Sequence, residues 1–453
     1  MSYFREHRSR FLEELKAFLR IPSISASAEH SRDIERAAEF VATELRQAGL
    51  KAVQVISGPG HPLVYGEWLE APGKPVLLFY GHYDVQPPEP LEEWISPPFE
   101  PEIRGENLYA RGAADDKGLL MILIKALEGV MAVRGRLPVN VRFLVEGEEE
   151  SGGEHLAEFV ASQADGLKAH AAVICDTEMF APELPTLCVG LRGILYGELR
   201  VQGAAQDLHS GVYGGAVPNP LMALAEILCE LKDRDGRLQI PGYLDRVRPP
   251  APEELAAWSR LPFDERRYLE QEVRAKELTG EPGYSLLERL WARPTLEVHG
   301  IRGGFTGEGA KTVIPAKAVA KLSSRLVADQ DPQECAQLLE QAIRKATPRG
   351  VTAEFHLLHA AAPSLTDPSH PLVQAAARAL EEVFGNPAVY VRSGGSIPVV
   401  SLFDRYLRIP SVMMGFGLPD DNLHAPNEKL YLPNFYRGIE AVARYLDLAA
   451  EVV

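Results

Sequence analysis

The sequence has no surplus of basic residues and no long apolar run. Its 453 residues include 47 lysines and arginines against 63 aspartates and glutamates, so the formal net charge is −16. A chain with this balance repels nucleic-acid phosphates and anionic lipid, and we expect neither as a partner. No apolar run reaches the roughly 20 residues that a helix needs to span a bilayer, so no membrane segment is predicted.

Cysteine is also scarce. The four cysteines stand far apart and form no Cys-x-x-Cys motif: Cys175, Cys188, Cys229 and Cys335. This pattern offers no disulfide framework and is typical of reduced thiols in a cytoplasmic protein. The first 20 residues are charged throughout and have the spacing of an amphipathic helix, without the apolar centre of a signal peptide. The sequence therefore predicts a cytoplasmic location.

Three short apolar runs predict buried strands, and each is followed by imidazole or carboxylate groups. The runs and the groups that follow them are Val76–Tyr80 with His82 and Asp84, Val139–Val145 with Glu146–Glu150, and Ala171–Cys175 with Asp176. In open α/β sheets, catalytic groups gather beyond the carboxyl ends of the strands. We therefore expect these side chains to meet at one edge of a sheet. Two earlier runs, Val53–Val55 and Leu63–Glu67, are expected as edge strands.

A further acidic pair, Asp115-Asp116, precedes the apolar helix predicted over Leu119–Val133. Adjacent carboxylates repel each other unless a cation lies nearby. Mixed imidazole and carboxylate ligands suit zinc, manganese or cobalt better than calcium. Each motif alone also has a plainer interpretation: His-x-Asp as a turn, the acidic pair as a helix cap, and the acidic run as a solvated helix start.

The composition changes near Leu191. From there to about Ala360 the order strand, helix, strand, strand, helix, strand predicts a ferredoxin-like domain, with a charged helical insertion over Pro249–Arg293. A sheet strand at Ile409–Met414 and an amphipathic helix at Leu432–Leu448 then complete the first domain. We expect an α/β protein in which a catalytic α/β/α domain with a mixed sheet, residues 1–190 and 361–453, is interrupted by a smaller α/β domain, residues 191–360.

Taken in order, the motifs resemble the co-catalytic dizinc metallopeptidases, the family of carboxypeptidase G, aminoacylase, acetylornithine deacetylase and the carnosinase-like dipeptidases. They are Gly81-His82-Tyr83-Asp84-Val85-Gln86-Pro87, Arg111-Gly112-Ala113-Ala114-Asp115-Asp116-Lys117-Gly118, Glu146-Gly147-Glu148-Glu149-Glu150-Ser151-Gly152, Asp176 and Leu423-His424-Ala425-Pro426-Asn427-Glu428. The first motif, Asp207-Leu208-His209-Ser210-Gly211 and the charged insertion resemble the carnosinase-like dipeptidase branch most closely.

The resemblance implies two divalent metals per subunit, zinc first, with manganese or cobalt as alternatives. It implies that Asp115 bridges the metals, that His82 and Asp176 complete one site, and that Glu150 and His424 complete the other.

Catalytic roles follow from the same resemblance. Glu149 would be the general base for a water activated between the metals, and Asp84 would orient the imidazole of His82. Such enzymes also have a cis peptide bond at the position of Asp115-Asp116.

In the resembled family the smaller domain is a lid and the dimer interface. The resemblance implies a homodimer in which His209 reaches the partner's active site and stabilises the oxyanion. It implies that Arg325, with Gly395 and Ser396, binds the terminal carboxylate of the substrate. The chain has Ser393 where related dipeptidases often have an acidic residue.

The implied reaction is hydrolysis of the peptide bond of dipeptides, or of short peptides with a free C-terminal carboxylate. The alternative is an N-acyl amino acid deacylase of the acetylornithine or succinyl-diaminopimelate type, which uses the same chemistry. A metal-binding scaffold without activity is a third hypothesis, and the retained general base at Glu149 argues against it.

Overall fold

The computed structural model describes residues 2–452, and the chain folds into two compact units. The larger unit contains residues 1–189, 366–391 and 398–453, and the smaller unit contains residues 190–365 and 392–397. Met1 and Val453, at which the predicted catalytic domain begins and ends, lie outside the described residues.

The strands are, in chain order, β1 (Lys51–Ile56), β2 (Leu63–Trp68), β3 (Val76–His82), β4 (Glu102–Arg104), β5 (Asn107–Tyr109), β6 (Asn140–Glu146), β7 (Ala171–Ile174), β8 (Thr186–Leu191), β9 (Gly193–Gln202), β10 (Leu208–His209), β11 (Thr295–Gly303), β12 (Val313–Ile314), β13 (Lys317–Leu326), β14 (Thr352–Ala361), β15 (Ser364–Leu365), β16 (Val389–Ser393), β17 (Ser411–Gly415) and β18 (Lys429–Tyr431).

The α-helices are α1 (Ser2–Glu6), α2 (Arg8–Leu19), α3 (Ser31–Gln47), α4 (Lys117–Arg134), α5 (Glu154–Ser162), α6 (Ser210–Tyr213), α7 (Pro220–Leu231), α8 (Pro252–Trp258), α9 (Glu265–Arg267), α10 (Leu286–Trp291), α11 (Pro332–Ala346), α12 (Pro371–Phe384), α13 (Pro398–Leu402) and α14 (Leu432–Ala449). Within residues 2–452, no helix is both long and apolar enough to cross a membrane.

A mixed sheet forms the centre of the larger unit, in the order β1-β2-β6-β3-β7-β17-β8. β6, β3, β7 and β17 are parallel, whereas β1, β2 and β8 pair antiparallel with their neighbours. The predicted α/β class with a mixed sheet is confirmed. The expectation that Leu63–Glu67 is an edge strand is wrong, because β2 pairs with both β1 and β6.

Helix α4 explains how the acidic pair before it is held in place. It is buried from Lys117 to Val130, and it packs on β3 and against α2, α3 and α14. A helix that is buried on all sides must be covered by neighbouring elements on all of them. The start of α4, next to Asp115-Asp116, is therefore fixed by the core.

The smaller unit is an antiparallel sheet in the order β11-β13-β9-β14, with α7 and α11 packed on it. This is the strand order of the predicted ferredoxin-like fold. α11 begins with an N-cap: the side chain of Asp331 accepts a hydrogen bond of 2.9 Å from Glu334 N, and Pro332 occupies the first turn.

Candidate metal centre

The candidate site lies beyond the carboxyl ends of the parallel strands of the larger unit. β3 ends at His82, β6 leads into a 3₁₀ turn at Glu149–Ser151, and β7 ends two residues before Asp176. The loop after β17 carries His424. Because the carboxyl ends of parallel strands meet at one edge, four segments distant in sequence contribute to one site.

Asp115 lies at the centre of the site, and its two carboxylate oxygens face different histidines. Oδ1 lies 3.1 Å from His82 Nε2, and Oδ2 lies 2.9 Å from His424 Nε2. Asp176 Oδ2 is 3.9 Å from His82 Nε2, and Glu150 Oε1 is 3.4 Å from His424 Nε2. The structure thus brings the five predicted ligands together as two groups of three that share Asp115, with the ligand atoms of each group within 4.8 Å of one another.

The donor set fits a pair of divalent cations. Each group offers one imidazole and two carboxylates, a nitrogen and oxygen set that zinc, manganese and cobalt accept. In the described part of the chain, no lysine or arginine forms an ion pair with Asp115, Glu150 or Asp176. Burial, and then the charge of Asp115, raise the pKa of Asp176 to about 7. A bound cation is the group that would offset this repulsion.

Asp84 is fully buried and connects two of the ligand segments. Its Oδ1 lies 3.3 Å from His82 Nδ1, as the expected orienting role requires. Its carboxylate also accepts hydrogen bonds from Glu149 N at 3.3 Å and from Glu150 N at 3.0 Å. Asp84 therefore holds the histidine and the acidic turn together.

Two carboxyl groups, one at the end of β6 and one in the turn after it, have strongly raised pKa values. Burial raises the pKa of Glu149 well above its usual value; the charge of Asp176 adds to the rise and His82 opposes it. Glu146 is 2% exposed and accepts a hydrogen bond from the Tyr80 hydroxyl, and burial raises its pKa to about 8. Glu146 is buried and Glu149 is only partly exposed, in a 3₁₀ turn, so the interpretation of this run as a solvated helix start is wrong.

The acidic pair before α4 is not an ordinary helix cap. Asp116 occupies the N-cap position, but its side chain caps no helix N–H. Asp116 Oδ2 instead accepts a hydrogen bond of 3.0 Å from His82 N. The peptide bond between Asp115 and Asp116 is cis, as the resemblance implied.

Two contacts at the site had no clear signal in the sequence. Gln86 Nε2 donates a hydrogen bond of 2.8 Å to Glu150 Oε2. The hydroxyl of Ser23, which is buried, donates a hydrogen bond of 2.6 Å to the carbonyl of Tyr83. The backbone carbonyl of Ser23 accepts one of 2.9 Å from Val85 N. Gln86 stands in a recognised motif, but its partner lies 64 residues away. Ser23 stands in what the sequence presents as an ordinary loop.

The predicted carboxylate-binding residues lie close together in the smaller unit. Arg325 Nη1 donates a hydrogen bond of 2.8 Å to Ser396 Oγ, which donates one of 2.6 Å to the carbonyl of Arg192. The carbonyl of Gly395 accepts a hydrogen bond of 3.1 Å from Arg192 N. Burial, and then the charge of Arg325, lower the pKa of Arg192 to about 10. His209 is exposed on β10, where its Nδ1 accepts a hydrogen bond from Gly211 N.

Comparison with known proteins identifies relatives over the full length of the chain. Residues 78–448 match the profile of peptidase family M20/M25/M40. The Cys-Gly metallodipeptidase of Schizosaccharomyces pombe is 33% identical over 98% of this chain and 96% of its own length. The Beta-Ala-His dipeptidase of Rattus norvegicus is 31% identical over 98% and 93%.

A solved structure resembles the chain equally well. The M20 family metallo-carboxypeptidase Sso-CP2 from Sulfolobus solfataricus is 34% identical, with a TM-score of 0.85 over 98% of this chain and 99% of that one.

Proposed function

The chain belongs to peptidase family M20/M25/M40, and on that premise we propose that it is a dimetal dipeptidase. Its substrates are dipeptides, or short peptides with a free C-terminal carboxylate. The observation that carries the proposal is the pair of ligand groups that share Asp115, because two adjacent cation sites are what hydrolysis by a two-metal centre requires.

His82, Asp115 and Asp176 would hold one cation, and Asp115, Glu150 and His424 would hold the other. When bound, the two cations acidify a water molecule and polarise the scissile carbonyl. We propose zinc as the native metal, with manganese or cobalt as alternatives.

Glu149 is the proposed general base. It takes a proton from the attacking water and gives it to the leaving amine. The pKa of its carboxyl group, raised first of all by burial, supports this role, because a more basic carboxylate takes up a proton more readily. Asp84 keeps Nδ1 of His82 protonated, so that the lone pair of Nε2 is available to a cation.

The dipeptide assignment draws on the relatives and on the smaller unit. The names of the relatives specify Cys-Gly and Beta-Ala-His as substrates, and these names favour a dipeptidase over the deacylase alternative. We propose that Arg325, with Ser396 and Gly395, binds the terminal carboxylate of the substrate. The guanidinium of Arg325 has no carboxylate partner among residues 2–452. It is therefore available to bind the carboxylate of a substrate.

We also propose a homodimer formed through the smaller unit, which would act as a lid and dimerisation domain. β11 is an edge strand of its sheet, and it exposes Val298 and Ile301 by 45% and 55%. An exposed apolar edge strand offers a surface on which a second chain can pair. In this proposal His209 of one copy stabilises the oxyanion in the other. The cytoplasmic location stays a prediction from the sequence.

The test is hydrolysis of Cys-Gly and of β-Ala-His by the zinc-loaded protein, beside N-acetylglycine and N-acetylhistidine and a chelator-treated control. We expect chelator-sensitive cleavage of at least one dipeptide. Preference for the acetylated amino acids would instead make the protein a deacylase. The Glu149→Gln variant should lose turnover while its zinc content stays that of the wild type, and an active variant would refute the assignment of the base.

A further inference from the structure

A buried ion pair between Arg111 and Glu428 lies beside the ligands of the metal centre. Arg111 Nη1 and Glu428 Oε2 are 2.7 Å apart, and the two side chains are 1% and 0% exposed. Both residues stand in motifs that the sequence singles out, but neither is a ligand or the general base. Removing one member of such a pair leaves an uncompensated buried charge, so the pair has a strong structural effect.

Glu428 is bound by backbone N–H groups as well as by the guanidinium. Its Oε1 accepts hydrogen bonds from Ala114 N at 2.9 Å and from Asp115 N at 3.1 Å, and its Oε2 accepts one from Gly112 N at 2.9 Å. One carboxylate thus fixes three N–H groups of the segment that ends in the shared ligand Asp115. Charge-assisted bonds of this kind are the strong ones in proteins.

The same ion pair also involves the segments of two further ligands, His424 and His82. Glu428 follows His424 by four residues on one loop, so its bonds to the Asp115 segment tie these two ligands together. Arg111 Nη2 donates a hydrogen bond of 3.2 Å to the carbonyl of Pro87, in the segment that begins at His82. The pair therefore joins the segments of three ligands.

We propose that Glu428 is a positioning residue that fixes Asp115 relative to His424 and thereby sets the metal affinity of the centre. This inference rests on the proposed metal centre. The two fail in different ways: a wild-type protein that binds no zinc would refute the centre, whereas a wild-type protein that binds zinc no better than a Glu428 variant would refute only the positioning role.

The test uses Glu428→Gln, which keeps the size of the side chain but replaces one acceptor oxygen with an NH₂ group that faces N–H donors. The matched control is Glu44→Gln. Glu44 is 5% exposed in the same unit and pairs with the buried Lys125 of α4, away from the ligand segments. For both variants, the zinc dissociation constant is measured by competition with a chromophoric chelator, bound zinc is counted by atomic emission, and the melting temperature is recorded without metal.

We expect both variants to melt at lower temperature without metal, and only Glu428→Gln to bind zinc about 10 to 100 times more weakly, the usual effect of losing a group that supports metal ligands. Equal zinc affinity in Glu428→Gln and in the wild type would overturn the proposal, as would an equal loss in Glu44→Gln.

A second variant keeps the proposal testable if Glu428→Gln does not fold. Glu428→Asp retains the negative charge beside Arg111, but its side chain is one methylene shorter and cannot reach all three N–H groups. We expect it to fold and to bind zinc more weakly than the wild type. Wild-type zinc affinity in Glu428→Asp would show that charge alone is needed, and it would overturn the positioning role.

Discussion

Replacing Asp84 with asparagine tests how the centre keeps His82 ready for a metal. The carboxylate of Asp84 offers oxygens only: it accepts from Glu149 N and Glu150 N and faces His82 Nδ1. An asparagine of the same shape keeps one oxygen and turns an NH₂ group toward one of these partners. If that oxygen stays with the shorter bond to Glu150 N, the NH₂ group faces His82 Nδ1.

The size of the effect follows from this geometry. An NH₂ group donates to Nδ1 and favours the tautomer with the proton on Nε2, which cannot bind a cation. The backbone carbonyl of Asp84, 3.2 Å from Nδ1, is retained and still favours the useful tautomer. We therefore expect about a tenfold loss of metal affinity, at the lower end of the range for such supporting groups. Loss of one charge-assisted hydrogen bond should also lower the free energy of unfolding by about 1.5–3 kcal/mol.

Two measurements check these figures: zinc competition with a chelator at constant pH, and urea unfolding of the metal-free protein. Glu44→Gln serves as the control for loss of a buried carboxylate elsewhere in the same unit. Wild-type zinc affinity in an Asp84→Asn variant that loses stability as expected would refute this reasoning. That result would mean that the carbonyl alone fixes the tautomer.

Three further outcomes are expected. Gly81→Ala should lower the free energy of unfolding, measured with urea, by about 1–3 kcal/mol. The reason is that a Cβ at this position would lie 2.8 Å from Asp116 Oδ2 and 3.0 Å from Leu120 Cδ1. Gly300→Ala is the control, because a Cβ at Gly300 would meet no atom within 4 Å. A thiol reagent should modify one cysteine rapidly in the native protein, and Cys229→Ser should abolish this reaction, because the other three cysteines are buried. Added zinc should raise the melting temperature in a concentration-dependent way, since a ligand that binds only the folded state stabilises it. A chelator should reverse the rise. A melting temperature independent of zinc would contradict the proposed metal site.

The sequence predicts those parts of the centre that depend on a single segment. An apolar run that stops at Gly81 predicts a buried strand with His82 at its carboxyl end, and β3 ends there. The expectation for Leu63–Glu67 is wrong because its alternating polar residues resemble a half-exposed edge, whereas β2 is covered on both sides by neighbouring strands. Which strands become neighbours depends on the packing of the whole sheet, and a single run does not contain that information.

Contacts between segments far apart in sequence likewise cannot be inferred from motifs. Glu428 is separated by more than 300 residues from the N–H groups that it binds. A sequence shows that a glutamate is present near His424, but the partner of its carboxylate is decided by the fold. The same holds for Gln86 and Glu150, and for Ser23 and Tyr83.

The distribution of buried charge indicates why this centre depends on its cations. Arg111 is committed to Glu428, and the buried Lys117 donates to the carbonyls of Phe18 and Ile21. Neither cation contacts a carboxylate of the ligand groups, although both belong to the motif that contains Asp115. Arg111 therefore fixes the backbone of the ligand segments, and the ligand carboxylates have only the two histidines, and no lysine or arginine among the described residues, as ion-pair partners. It follows that removing the metals should loosen the ligand side chains while the segments that carry them stay in place, because the groups that hold the backbone do not include a metal.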